Sequence, residues 1–172
     1  MGKILIVIDM QEDFVSGVFG TEEAEAIVAP MRTLIAEFRA EGAPVYYTMD
    51  THTEDGDELN QEIIRLPRHC VKGTDGWDIV YSLAPAENDV LIEKPGFLAL
   101  GLPEAIGALD PETEIVLCGV CTDICVVSNA LYLRARYPDN RIVVRKEYCA
   151  GTTFANHESA LAVMESCLID VK

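Results

Sequence analysis

Residues Lys3–Asp9 form the run KILIVID, which is apolar at nearly every position and ends on a carboxylate. Such a run predicts a strand that is buried on both faces, as at the centre of a parallel sheet. Similar runs predict further strands at Pro44–Met49, Asp89–Glu93, Glu114–Gly119, Arg141–Lys146 and, over a shorter length, Ile169–Val171.

Apolar residues between these strands recur at helical spacing, which predicts helices that pack on the sheet. One stripe runs from Ile27 to Phe38, and Pro30 within it predicts either a kink near Ala29 or a helix that starts again there. Further helices are predicted at Pro103–Leu109, Asp123–Tyr137 and Asn156–Leu168. This alternation predicts a single α/β domain around a mostly parallel sheet.

The composition limits the class of protein. The 172 residues include 13 basic and 29 acidic side chains, and the net charge of −16 argues against binding to nucleic acid or to anionic membranes. No apolar run approaches the roughly 20 residues that span a bilayer, and the apolar stretch near the N-terminus is too short for a signal peptide. We therefore expect a cytoplasmic protein whose six cysteines are reduced thiols.

Three reactive side chains follow the carboxyl ends of predicted strands, where open parallel sheets bind their ligands. Asp9 closes the first strand, Lys94 follows the third, and Cys125 comes six residues after the fourth. If they meet, the thiol is a candidate nucleophile, the ammonium favours its charged form, and the carboxylate moves protons. The alternative leaves Cys125 as a small core side chain, Asp9 as a strand-end cap and Lys94 in solvent.

The segment GVCTDIC (residues 119–125) lies where the fourth strand gives way to a helix. Thr122 or Asp123 is suited to cap that helix, which would place Cys125 in its first turn. The helix dipole and free backbone N–H groups there are expected to lower the pKa of the thiol and to hold a developing oxyanion.

A second polar group lies in the irregular stretch of residues 50–88, which is long for a connection within one domain and therefore indicates a functional loop. It contains Asp50, His52 and His69, with Glu62 between the two histidines. Carboxylates and imidazoles together suit zinc or another borderline divalent cation. The alternative is a polar loop that carries surface histidines.

Five blocks of the chain, in the right order, resemble a known family. They are IVIDMQEDF (6–14), MDTH (49–52), HCVKGTDGW (69–77), EKPGF (93–97) and GVCTDICVVSNAL (119–131). They resemble the isochorismatase-like cysteine hydrolases and, among these, look most like the nicotinamidases. The resemblance implies one hydrolase domain over residues 1–172, with a three-layer fold in which helices cover both faces of a mostly parallel six-stranded sheet.

The resemblance also assigns roles to residues of this chain. It implies Asp9, Lys94 and Cys125 as the catalytic triad. It implies Asp50, His52 and His69 as metal ligands, with Glu62 as a further carboxylate. A cis peptide between Val120 and Cys121 is implied just before the nucleophile, where it would aim the Cys121 and Cys125 amides at the oxyanion. Phe14 matches an aromatic wall of the substrate pocket.

One position departs from the nicotinamidase pattern. These enzymes commonly place an aromatic residue three positions before the second metal histidine, whereas this chain has Leu66 before His69. A leucine still covers one face of a substrate ring but gives no stacking, which is worth about 0.5–1.5 kcal/mol. This departure leaves the identity of the substrate open, whereas it does not affect the triad.

The expected reaction is therefore hydrolysis of a carbon–nitrogen bond in a small amide, with nicotinamide giving nicotinate and ammonia through a thioester. The expected cofactor is a divalent metal ion, with zinc first and iron or manganese as alternatives, and a homo-oligomer is left open. Alternatives are a related amidase acting on another small amide or N-carbamoyl compound, and a non-catalytic binding module. A thiol redox protein that uses Cys118 and Cys121 is the third, although core packing better explains Cys118.

Overall fold

The computed structural model describes residues 2–54 and 60–172 of the chain. Its strands are β1 (Lys3–Ile8), β2 (Val45–Asp50), β3 (Val90–Lys94), β4 (Glu114–Val120), β5 (Ile142–Ala150) and β6 (Asp170–Val171). These strands form one sheet in the order β3-β2-β1-β4-β5-β6, and every neighbouring pair is parallel.

The helices of the described residues are α1 (Glu12–Val15), α2 (Glu22–Ala26), α3 (Val28–Ala40), α4 (Gln61–Arg65), α5 (Leu102–Ile106), α6 (Val127–Arg136) and α7 (Phe154–Ser166). Short 3₁₀ turns lie at Asp75–Trp77 and Tyr81–Leu83, and a single π-helical turn, Thr122–Val126, precedes α6. Among the helices of the described segments, none is long and apolar enough to cross a membrane.

Alternate residues of β1 enter two separate cores. Ile4, Ile6 and Ile8 join the core under α5, α6 and α7, whereas Leu5 and Val7 join the core under α1, α2 and α3. A strand at the centre of a parallel sheet has helices on both sides, so both sets of side chains must be apolar. The three-layer α/β fold predicted from the sequence is thereby confirmed.

Strand boundaries differ from the predicted ones mainly where polar residues are buried. β2 and β3 each run one residue further than predicted, to Asp50 and Lys94, which are partners in the parallel register. β1 ends one residue earlier, at Ile8, because Asp9 turns out of the sheet with a positive φ of 48°. β5 continues to Ala150, four residues beyond the predicted end, although its middle is charged and partly exposed.

Pro30 marks the start of a helix and not a kink. α3 begins at Val28, so Pro30 stands in the first turn, where the backbone N–H that it lacks would have no helical partner. The apolar side chains of the stripe, including Met31 and Phe38, are buried against the sheet. Of the two predicted possibilities, the second is confirmed, and α2 is a separate short helix.

Parallel pairing brings the carboxyl ends of four strands to one edge of the sheet. Ile8 pairs with Thr48 on one side and with Gly119 on the other, and Asp50 pairs with Lys94. The residues just beyond these pairs therefore lie side by side. The polar stretch of residues 50–88 folds over the same edge, and within it residues 55–59 lie outside the described residues.

Candidate active site

The Lys94 ammonium contacts the other two reactive side chains that the sequence predicts at strand ends. Lys94 Nζ lies 2.8 Å from Asp9 Oδ2 and 3.7 Å from Cys125 Sγ. It also donates a hydrogen bond of 2.8 Å to the carbonyl oxygen of Gly96. All three reactive side chains are buried, so the alternative in which Lys94 stands in solvent is wrong.

Asp9 is held in place by the neighbouring strand. Its left-handed backbone conformation is one that Asp adopts more readily than most residues. The Thr48 hydroxyl donates to Asp9 Oδ1 at 2.6 Å, and the Thr48 carbonyl accepts from the Asp9 N–H at 3.2 Å. These contacts leave Oδ2 directed at Lys94.

Gly119 allows the fourth strand to approach the first closely enough to form this edge. Its φ is 124°, and a Cβ at this position would lie 2.1 Å from the carbonyl oxygen of Ile8. No other residue fits such a contact without moving one of the two strands. The peptide bond that follows, between Val120 and Cys121, is cis, as the resemblance implied.

Cys125 lies in the single π-helical turn between β4 and α6, so its predicted place in the first turn is confirmed. The predicted cap is wrong, because both candidate side chains have other partners. Thr122 Oγ1 lies 2.8 Å from His157 Nδ1, and Asp123 accepts hydrogen bonds from the backbone and hydroxyl of Thr152 at 2.8 and 2.6 Å. These contacts tie the nucleophile turn to the connection between β5 and α7.

Burial controls the protonation of the three reactive groups. It raises the pKa of the Cys125 thiol well above its usual value, an effect that the Asp9 carboxylate strengthens and the Lys94 ammonium opposes. Burial also raises the pKa of Asp9, against the charge of Lys94. For Lys94, burial lowers the pKa, but the charges of Asp9 and Cys125 outweigh it and the pKa is raised. The expected lowering of the thiol pKa is therefore wrong, because burial moves the pKa of Cys125 in the opposite direction.

Four further buried side chains meet beside this group. Asp50, His52, Glu62 and His69 each offer one ligand atom, and these atoms all lie within 4.8 Å of one another. Asp50 Oδ2 lies 3.1 Å from His52 Nε2 and 3.2 Å from His69 Nε2. Glu62 Oε1 lies 3.3 Å from His69 Nε2. The alternative of surface histidines is wrong, since both rings are buried.

The chemistry of this cluster fits a divalent cation. His69 Nδ1 lies 2.7 Å from the carbonyl oxygen of Pro67, to which it donates, so Nε2 is the ring nitrogen that faces the cluster and becomes a ligand atom once it loses its proton. Although burial lowers it, hydrogen bonds with Asp50 and Glu62 raise the pKa of His69 to about 10. Burial raises the pKa of Asp50, but hydrogen bonds with His52 and His69 hold it below its usual range. The cluster thus concentrates negative charge around imidazole nitrogens, as a metal site does.

Gln11 holds the backbone of Asp50, whose carboxylate lies between the two histidines. Sequence reasoning did not single out Gln11. Its Nε2 donates to the carbonyl oxygens of Asp50 and Trp77, each at 2.8 Å, and its Oε1 accepts from the Asp50 N–H at 2.7 Å. Gln11 is fully buried. Its position two residues after Asp9, still at the strand end, is the signal that would have singled it out.

Two further polar residues of the site were missed. Thr48, the partner of Asp9, lies within an apolar strand and gives no pattern that distinguishes it from a core threonine. Asn129 is fully buried and accepts from the Ala99 N–H at 3.0 Å. Its spacing of four residues from Cys125, about one helical turn, would have placed it beneath the nucleophile.

A cavity of about 210 Å³ opens beside both polar groups. Cys125, Glu62 and His69 reach it, and its apolar wall includes Phe14, Phe19, Leu66, Phe97, Val120 and Ile124. Phe14 and Leu66 therefore line the pocket, as the resemblance implied. The side chain of Leu66 is 37% exposed, at the mouth of the cavity.

The surroundings of Cys118 favour core packing over the redox alternative. All six are free thiols. Cys118 is fully buried in the core, and its Sγ donates to the Ile6 carbonyl oxygen at 3.8 Å, which confirms that it packs as a core residue. Cys121 lines the cavity, where burial raises its pKa to about 12.

The chain matches the family model for the isochorismatase domain over residues 3–171. It is 34% identical to the isochorismatase family protein PncA of Bacillus subtilis (strain 168), and the match covers 94% of this chain and 93% of that protein. The similarity to this family therefore extends beyond the five blocks to nearly the whole chain.

Solved structures share the fold. The nicotinamidase/pyrazinamidase PncA of Bacillus subtilis superposes with a TM-score of 0.87 at 28% identity, covering 99% of both chains. The pyrazinamidase of Pyrococcus horikoshii, solved in complex with zinc, gives 0.84 at 25% identity, covering 100% of this chain and 99% of that one. The N-carbamoylsarcosine amidase of Thermoplasma acidophilum gives 0.82 at 30% identity, covering 100% and 96%. The chain belongs to the isochorismatase family.

Proposed function

We propose that the protein is a cysteine-dependent amidase that hydrolyses nicotinamide to nicotinate and ammonia. The observation that carries the proposal is the contact of one ammonium, Lys94 Nζ, with the Asp9 carboxylate at 2.8 Å and with the Cys125 thiol at 3.7 Å. A non-catalytic binding module would not need these groups in contact beside a cavity. The activities named for the similar Bacillus and Pyrococcus structures support nicotinamide as the substrate.

In the first half of the reaction, Cys125 Sγ attacks the amide carbon while its proton passes to Asp9. The raised pKa of Asp9 favours this transfer, because it makes the carboxylate a stronger base than an exposed one. Lys94 stays charged and stabilises both partners during the exchange. Asp9 then returns the proton to the amide nitrogen, the C–N bond breaks, ammonia leaves, and a thioester remains on Cys125.

The second half regenerates the thiol. A water molecule adds to the thioester carbon and gives one proton to Asp9. The C–S bond breaks as the tetrahedral intermediate collapses, the proton passes to Cys125 Sγ, and the carboxylic acid leaves. Asp9 thus handles one proton in each direction per half-reaction, and its Oδ2 stays beside the Lys94 ammonium while it does so.

We assign the oxyanion to backbone N–H groups of the nucleophile turn. Val120, Cys121 and Cys125 all border the cavity, so a carbonyl carbon at the sulfur has its oxygen next to this turn. The N–H groups proposed as donors are those of Cys121 and Cys125. Removing one such donor in other hydrolases costs about 2.7–4 kcal/mol of transition-state stabilisation.

The proposed metal ligands are Asp50, His52 and His69, with Glu62 as a further carboxylate. Two imidazoles and two carboxylates suit zinc, the metal we propose, and iron or manganese are the alternatives. A bound cation would supply a Lewis acid suited to a pyridine nitrogen, and Asp50, His52 and His69 would hold it in place. Because His69 and Glu62 border the same cavity as Cys125, one small ring can meet both groups.

A second candidate is a related amidase acting on another small amide or an N-carbamoyl compound. Leu66, at the mouth of the cavity, cannot stack on a flat aromatic ring. This observation favours the second candidate. The structural likeness to an N-carbamoylsarcosine amidase points the same way. The triad would perform the same chemistry on either substrate.

Ammonia release decides between these functions. The protein should be assayed with nicotinamide, pyrazinamide, aliphatic amides and N-carbamoyl amino acids, before and after treatment with a chelator. Ammonia from nicotinamide that disappears on chelation and returns with zinc supports the proposal. Release from carbamoyl compounds alone transfers the assignment to the second candidate, and no release from any amide favours a binding module.

We further propose that residues 1–172 act as one hydrolase domain, which the family match over residues 3–171 supports. Six free thiols support a reducing compartment, which we take to be the cytoplasm. A homo-oligomer is compatible with this proposal, and the charge of −16 supports the expectation that the partner is a small molecule and not nucleic acid or a membrane surface.

A further inference from the structure

The side chain of Asn129 connects the turn that carries Cys125 with the segment that follows Lys94. Its Nδ2 donates to the Cys125 carbonyl oxygen at 2.8 Å and to the Phe97 carbonyl oxygen at 3.1 Å. Its Oδ1 accepts from the Ala99 N–H at 3.0 Å. These hydrogen bonds are all directed at backbone groups, so the amide fixes main chain and not other side chains.

The segment that Asn129 holds is the irregular connection between β3 and α5. It begins directly after Lys94, the last residue of β3, and its Gly96 carbonyl accepts from the Lys94 ammonium at 2.8 Å. Phe97, in the same segment, forms part of the cavity wall. The placement of this connection therefore affects both the direction of the Lys94 side chain and the shape of the pocket.

We propose that Asn129 is a positioning residue, which sets the distance between the Lys94 ammonium and the Cys125 sulfur by clamping the connection after β3 to the nucleophile turn. The proposal rests on the proposed function for its kinetic consequences, but the geometry on which it depends exists without any substrate. Asn129 touches neither the cavity nor the reacting atoms.

An amide is suited to this position because it reaches three backbone groups at once. A hydroxyl four residues after Cys125 would reach only the carbonyl of its own helical turn, and a methyl group would form no hydrogen bond at all. With Ala at position 129, the Phe97 carbonyl and the Ala99 N–H lose the hydrogen bonds that the amide supplies. The connection is then free to move relative to Cys125, and displacements of about 1 Å in an active site cost about 100-fold in rate.

Asn140 provides a matched control. It is also buried, and its Nδ2 likewise donates to two backbone carbonyls, those of Asp110 at 2.8 Å and Thr113 at 3.0 Å. Those carbonyls precede β4 at the opposite end of the strand from Cys125. Asn140→Ala therefore removes a comparable set of hydrogen bonds without touching the active site.

The experiment compares Asn129→Ala, the isosteric Asn129→Asp and Asn140→Ala with the parent protein. We expect Tm to fall by similar amounts for the two alanine variants. We expect kcat to fall about 10- to 100-fold for both changes at position 129, with KM altered less than about threefold, and to stay at the parent value for Asn140→Ala. A kcat that falls equally at both positions, or at neither, overturns the inference.

A substrate-free measurement separates this inference from the proposed function. Iodoacetamide labelling of Cys125, resolved from the other cysteines by peptide mass spectrometry, follows its thiolate as pH is varied. Withdrawal of Lys94 should move the labelling midpoint to higher pH in Asn129→Ala and leave it unchanged in Asn140→Ala. An unchanged midpoint at position 129 overturns the inference even if the protein hydrolyses amides. If no amide is hydrolysed, the proposed function fails while the labelling comparison still decides the role of Asn129.

Discussion

Lys94 Nζ lies 3.6 Å from Asp50 Oδ1, so the ammonium of the triad also contacts a carboxylate of the metal-capable cluster. The contact follows from the sheet, because the two residues are register partners at the ends of β3 and β2. The other oxygen of Asp50 faces His52 and His69. One carboxylate therefore joins the two halves of the site.

Asp50→Asn should impair both halves. The change removes the negative charge that the histidines and Lys94 share, so we expect metal affinity to fall at least about tenfold, together with kcat. His52→Ala removes a proposed ligand and keeps the Asp50 carboxylate that contacts Lys94. It should weaken metal affinity and raise KM while kcat at saturating substrate falls less.

Chelator competition measures metal affinity in these two variants, and initial rates give kcat and KM. The comparison is informative because both changes lie in the same cluster. Equal losses of kcat in the two variants, after each is saturated with zinc, would show that Asp50 acts only as a ligand and that its contact with Lys94 has no kinetic consequence.

Cys125→Ala should abolish turnover and leave metal binding intact. The sulfur is the atom that forms the thioester, and no other cysteine contacts Lys94 in the hydrogen bonds of the described residues. Cys118→Ala is the control, because that thiol is buried in the core and lies outside the cavity. It should lower Tm and keep kcat.

Two measurements check this prediction. Ammonia release gives the rate, and mass spectrometry after rapid acid quenching detects an acyl adduct on the parent protein. Ammonia release by Cys125→Ala at more than a trace of the parent rate would exclude covalent catalysis at this position, whatever the metal content.

The acid limb of the pH profile should report Asp9. The base must be ionised to accept the thiol proton, so kcat/KM falls as pH drops through the pKa of Asp9. Burial raises that pKa above 3.8, which means that the loss begins at a higher pH than for an exposed aspartate. The Thr48 hydroxyl opposes the shift by a hydrogen bond of 2.6 Å to Asp9 Oδ1.

Thr48→Val therefore moves the acid limb to still higher pH, because it removes a hydrogen bond that favours the ionised carboxylate. The kcat/KM profile of the parent and the variant is the measurement, with each enzyme kept saturated with metal at every pH. An acid limb that stays in place in Thr48→Val would assign it to a group other than Asp9.

The general architecture could be predicted from the sequence because its signals are local. An unbroken apolar run such as Ile4–Ile8 has few structures open to it other than a central strand. Reactive residues at strand ends follow from the same reasoning, since parallel strands gather their carboxyl ends at one edge. The positions of Asp9, Lys94 and Cys125 along the chain therefore made their meeting one of two open alternatives, and the family resemblance then implied it.

What the sequence did not reveal depends on contacts between distant segments. The cap expected at Thr122 or Asp123 failed, because His157 and Thr152, some 30 residues further along, bind those side chains in the folded protein. The lowered thiol pKa failed for a related reason. Helix position is readable from the sequence, whereas the burial of Cys125 depends on the packing of the whole edge.

Leu66 offers a direct test of substrate preference. Leu66→Trp places an aromatic ring at the mouth of the cavity, where the 37% exposure of the leucine leaves room for a larger side chain. Stacking worth about 0.5–1.5 kcal/mol should lower KM for nicotinamide and pyrazinamide about two- to tenfold. Aliphatic amides have no ring to stack, so their KM should not improve.

Ile64→Trp is the matched control, because Ile64 lies on α4 just before Leu66 and is 56% exposed but is not part of the cavity wall. It should leave KM unchanged for every amide. A fall in KM for aromatic amides with Leu66→Trp alone identifies ring recognition at this wall. The opposite outcome is a higher KM for nicotinamide in Leu66→Trp, together with carbamoyl compounds as the better substrates of the parent protein. In that case the leucine accommodates a non-planar substrate, and the second candidate function is the correct one.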